Sequence, residues 1–100
     1  MSLAKATGIN VPHNTETDVV SFTGDGIKKM LGFVAQCPAD AVFTLKIGAA
    51  FEAAVRTTVQ EQTASYYDRL QTVGNGVVAK ITCLQTSGAA VSASGTILGA

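Results

Sequence analysis

The chain has no tryptophan, one histidine, two cysteines and two prolines, and only 14% of its 100 residues are charged. Each shortage excludes something. The lone histidine, His13, lies between Pro12 and Asn14 in a turn-forming stretch, without a second imidazole to share a zinc ion. Cys37 and Cys83 share no CxxC spacing, so a zinc site is not expected. General acid–base or nucleophilic catalysis needs a nucleophile beside a base, or two carboxylates of useful separation. The chain offers neither, and the reading is of a protein that is not an enzyme and carries no cofactor.

Basic and acidic residues balance at seven each, and no basic run exists beyond Lys28-Lys29. Nucleic-acid binding depends on clustered cations and counterion release, so that partner is excluded. No segment approaches the roughly 20 apolar residues of a membrane-spanning helix. The first residues, MSLAKATG, lack the apolar core of a secretory leader, which points to synthesis in the cytoplasm. The charged fraction is well below the usual figure of about 25% for soluble domains. With 47% hydrophobic residues, a chain of this size solves its solubility problem most simply by burying surface against other copies or a larger assembly.

What is present is alternation with a period of two. Lys5 to Val11 reads as a short strand or an extended arm ended by Pro12. Val20 and Phe22 share one face of a strand over Asp18 to Thr23, with Val19 and Ser21 on the other. Gly24-Asp25-Gly26 reads as a tight hairpin turn. Ile27, Leu31, Phe33, Ala35 and Cys37 fall on one parity of the next strand. Pro38 to Ala41 is a turn, and Phe43, Leu45 and Ile47 then point inward, with Thr44 and Lys46 outward. Val73-Gly74-Asn75-Gly76 and Thr86-Ser87-Gly88 bracket a strand that turns Ala79, Ile81 and Cys83 inward. Ala90 to Leu98 closes the chain.

The stretch from Ala49 to Leu70 is ambiguous. Phe51, Ala54, Val55 and Val59 fit a helical stripe, and Glu52 to Arg56 is a favourable i,i+4 pair. Val55 to Val59 also alternates and is β-branched, as is Thr63 ahead of Tyr66-Tyr67. Two strands, near 53–59 and 63–71, are expected, with one helix as the alternative. The predicted fold is therefore all-β: a single-domain antiparallel β-sandwich or jelly roll of seven or eight short strands. An N-terminal arm covers 1–12 and the sandwich 13–100.

Several residues invite a functional reading. Glu16 and Asp18 lie on one strand face, but so few carboxylates seldom make a calcium site, and solvated strand-edge charges are the simpler reading. The cysteines read as buried free thiols, with a disulfide between neighbouring strands as the alternative. Tyr66 and Tyr67 point to opposite faces, one core and one exposed, and an exposed Tyr is a good interface anchor. Arg56 and Arg69 are further interface candidates, as are Leu3, Lys5 and Ile9 of the N-terminal arm.

Three stretches carry a resemblance to known proteins: VVSFTGDGIKKMLGFVA (Val19 to Ala35), PADAVFTLKIG (Pro38 to Gly48) and VVAKITCLQTSGAAVSASGTILGA (Val77 to Ala100). They resemble small β-sandwich structural proteins of tailed phages, most of all capsid decoration (cement) proteins. The resemblance implies a virion protein made in the host cytoplasm, binding the outer capsid surface as a homotrimer and contacting the major capsid protein or another virion protein. The alternative is a receptor- or carbohydrate-binding module of a tail fibre or adhesin, for which the chain has few aromatic residues.

Overall fold

A computed structural model describes residues 2–49 and 51–99. The described residues form eight strands: β1 (Ser2–Val11), β2 (Thr17–Thr23), β3 (Lys28–Gln36), β4 (Ala41–Ile47), β5 (Phe51–Thr57), β6 (Thr63–Thr72), β7 (Val78–Gln85) and β8 (Val91–Leu98). One sheet has the order β1-β8-β3-β6 and the other β2-β7-β4-β5, and every ladder within them is antiparallel.

This order has a simple origin. β1 pairs with β8, β2 with β7, β3 with β6 and β4 with β5, so the chain is one long antiparallel ribbon doubled at the β4–β5 connection. Rolling that ribbon adds the ladders β3–β8 and β4–β7 and closes two sheets face to face. The fold is a jelly-roll sandwich. The stretch 49–70 is strand on both sides of its turn, as β5 and β6, and not a helix. The N-terminal stretch is an edge strand of the first sheet.

The hydrophobic alternation explains the core. Leu31, Phe33 and Ile97 of the first sheet and Phe43, Leu45 and Ile81 of the second are fully buried. Burying each such side chain contributes about 1.5–3 kcal/mol. Leu31, Ile47, Val73 and Ala79 form a second, smaller cluster toward one end. In β2 the expected alternation fails: Val19 and Val20 are both buried, because the β2–β7 register shifts between Asp18 and Val20. The bulge turns two successive side chains inward. Ile27 also departs from expectation, since it precedes β3 and is 60% exposed.

Gly24-Asp25-Gly26 is not a hairpin. It carries the chain from β2 in one sheet to β3 in the other, as every connection except β4–β5 does. Glycine marks a turn, but which sheet receives the next strand is decided by the core. The 24–26 turn is zipped to the 73–77 turn, with Gly24 N–H donating to the Val77 carbonyl (2.7 Å), Gly26 N–H to that of Val73 (2.9 Å) and Gly76 N–H to that of Gly24 (3.0 Å). A Cβ on Gly24 would stand 2.5 Å from the carbonyl oxygens of Val73 and Gly74. Gly24→Ala should therefore destabilise the fold by about 1–3 kcal/mol through overpacking against backbone. The urea midpoint of the variant tests this expectation.

Candidate interaction surface

The outer face of the first sheet is built by the side chains that alternate away from the core, and the register sets them in rows. One row runs Leu98–Gly32–Tyr67 across β8, β3 and β6. The next runs Lys5–Thr96–Val34–Ser65, beginning on β1. A third runs Ser94–Gln36–Thr63, where the Gln36 amide donates to the Thr63 hydroxyl at 3.4 Å. Tyr67 is 71% exposed and Met30, at the end of this face, 51%. A Cβ on Gly32 would lie 2.9 Å from Tyr67 Cδ1, so the ring leans over the bare glycine backbone. Lys5 is the one charge in these rows. Beside them, Thr7, Gln36, Gln62, Thr63, Ser92 and Ser94 line an open depression of about 430 Å³.

The second sheet presents a different outer face. Lys46 and Lys80 stand directly opposite each other on β4 and β7. Their repulsion is relieved by carboxylates: Glu16 meets Lys46 Nζ through both oxygens at 3.1 Å, and Asp18 meets Lys80 at 3.2 Å. Glu16 also accepts a 3.0 Å hydrogen bond from the buried Thr82 hydroxyl. The two carboxylates expected as solvated edge charges are thus cross-strand ion-pair partners. Hydrogen bonds from Lys46 and Thr82 hold the Glu16 carboxyl below its ordinary value of 4.5.

A polar cluster closes one end of the sandwich. Gln85 is fully buried, its amide nitrogen donating to the carbonyls of Val11 (3.0 Å) and Ala89 (2.7 Å). Its Oε1 accepts from the Ser87 N–H (2.7 Å) and hydroxyl (2.6 Å). Asn14, at φ 56°, donates its N–H to the Gln85 carbonyl, and His13 Nδ1 accepts the Gly88 N–H at 2.9 Å. His13 therefore has a structural partner in the turn after β7. Gln85 was invisible in sequence: it ends an apolar strand where a polar residue ordinarily meets water.

The interface candidates scatter. Leu3 and Ile9 are half-buried and pack on the core of their own chain. Tyr66 is half-buried against Phe33, with ring centroids 5.9 Å apart. Lys5 and Tyr67 share the outer face of the first sheet, while Arg56 is exposed on the second. Arg69 lies in β6, with its side chain outside what the structure describes. Cys37 and Cys83 are buried free thiols. Burial pushes the Cys83 thiol up to about 12, and the adjoining Cys37 adds to the rise. A thiol held protonated in this way is a poor nucleophile. Among the described residues no three of His, Cys, Asp and Glu converge on a metal-sized site.

No protein-family model, curated protein or solved structure matches the chain. The surface itself must carry the functional argument.

Two stability predictions follow from this geometry. Gln85→Leu should cost about 2 kcal/mol or more, because the Val11 carbonyl loses its donor in a buried place. Amide exchange should accelerate first around Val11 and the 86–90 turn. Because the Glu16 carboxyl titrates lower in the folded chain than in the unfolded one, its stabilisation is complete above pH 4.5 and disappears as pH falls through the folded value. Thermal melts from pH 6 to pH 3 should show a shallower acid limb for Glu16→Gln than for the parent chain.

Proposed function

We propose that this chain is a non-catalytic virion structural protein, a capsid decoration protein that binds the outer shell as a homotrimer. The observation that carries this reading is the outer face of the first sheet. It is broad and sparsely charged among its described side chains, with Lys5 on β1, Lys28 beside Met30 at the end of β3, and Tyr67 and Met30 exposed over rows of Ser, Thr and Gln. Protein-binding surfaces are depleted in charge at their centres and enriched in Tyr and Met. A jelly roll alone assigns no function, so the surface and the three phage-like stretches support the proposal together. The partner it fits is a flat protein surface such as the major capsid protein, met after synthesis in the host cytoplasm.

The test is co-sedimentation of the full chain with expanded capsids of the phage that encodes it. Saturable binding and a raised capsid disassembly temperature are expected. Tyr67→Ala should weaken binding about tenfold or more while leaving the melting temperature of the free chain unchanged. Absence of binding to the shell would overturn the proposal.

One observation favours a second reading, a carbohydrate-binding module of a fibre or adhesin. The depression lined by Thr7, Gln36, Thr63 and Ser94 offers hydroxyl and amide groups on the same face as an exposed Tyr. A glycan array with specific hits that disappear in Tyr67→Ala would favour it over the capsid role.

A further inference from the structure

The sandwich has four edge strands, and three of them are irregular. β1 shifts register against β8 between Ser2 and Ala4 and again between Ala6 and Ile9. β2 shifts against β7 between Asp18 and Val20, and the β3–β6 ladder shifts between Met30 and Gly32. Bulges of this kind twist an edge away from further pairing. β5 is different. Its ladder with β4 runs without a shift from Ala41↔Thr57 to Ile47↔Phe51, and its other side is an open sheet edge.

The charges on β5 are placed symmetrically. Glu52 and Arg56 lie on the outward face, two residues either side of Ala54, and all three are exposed. Glu52 reaches Lys46 at 3.8 Å, but Lys46 is held more closely by Glu16, at 3.1 Å. Arg56 has no carboxylate partner among the described residues. A charged edge strand ordinarily repels a second strand. Here the pattern is self-complementary instead, because an antiparallel copy of β5 centred on Ala54 sets each Glu52 opposite an Arg56.

We infer that β5 is a self-association edge, pairing antiparallel with β5 of a second copy about a two-fold axis at Ala54. The second sheets of both copies then join into one continuous sheet of eight strands. Directly opposed residues in such a ladder have Cβ atoms about 4.5–5.5 Å apart, close enough for two Glu52–Arg56 pairs. Centring the pairing one residue to either side sets Glu52 and Arg56 opposite uncharged residues, so the charges select the register. The contact is isologous and uses this edge alone, which leaves the other edges and the outer face of the first sheet for further partners. It does not rest on the capsid reading.

The test uses the A54C variant of the full chain and a short bismaleimide. The introduced thiol is exposed, whereas Cys37 and Cys83 are buried. Efficient cross-linking to covalent dimers is expected, with light scattering showing a matching association of the uncross-linked parent. Adding E52R or R56E alone should weaken association about tenfold or more, since like charges would then face each other in both pairs. Adding both should restore it, because the swap recreates the complementarity. Circular dichroism should stay at the parental spectrum throughout, while the melting temperature should fall with the single variants and recover in the double one, because association stabilises the folded chain. Absence of cross-linking, cross-linking indifferent to the single variants, or failure of the double variant to restore it would each overturn the inference.

Discussion

The structure depends on the antiparallel pairing of the first half of the chain with the second, doubled at the β4–β5 connection. Once β4 and β5 lie in register, each earlier strand has a later partner, and rolling the ribbon brings β8 beside β3 and β7 beside β4. The roll is stable because it buries the inward row of each sheet against the other. Phe33 and Ile97 meet Phe43, Leu45 and Ile81 in one cluster, and their shared burial is the main favourable term.

Rolling a ribbon leaves turns that cross between sheets, and those crossings need their own polar satisfaction. At one end Gly24 fits where a Cβ would strike backbone, so two turns share hydrogen bonds directly. At the other end the buried amide of Gln85 does the equivalent work with a side chain, linking the end of β1 to the turn before β8. The lysines facing each other across β4 and β7 show the same economy on the surface. They are tolerated because Glu16 and Asp18 reach them from β2 and the residue just before it.

The two outer faces then diverge in character. One sheet turns out an ion-paired lattice, and the other turns out hydroxyls and amides with Tyr67 and Met30 among them. That contrast is why the sparsely charged face, free of the ion-pair lattice, is the proposed binding surface. The cysteines are buried, with the Cys83 thiol pushed up by that burial, and they belong to the core.

Much of this was legible in the residues. Strict alternation in Val42 to Ile47 and Val77 to Gln85 fixes which side chains face inward, because a strand's side chains alternate by geometry. The split of Tyr66 from Tyr67 follows from the same rule. The stretch 49–70 was undecided because Glu52 and Arg56 satisfy helix spacing as readily as strand parity; pairing with β4 decided it. Alternation could not show the bulge that buries both Val19 and Val20, nor the partners of Glu16 and Asp18, nor the burial of Gln85. Sequence by itself determined an all-β chain with a known inward face. Which strands are neighbours, which turns cross between sheets and which polar groups are paired were decided by tertiary structure alone, because those depend on contacts between residues far apart in the chain.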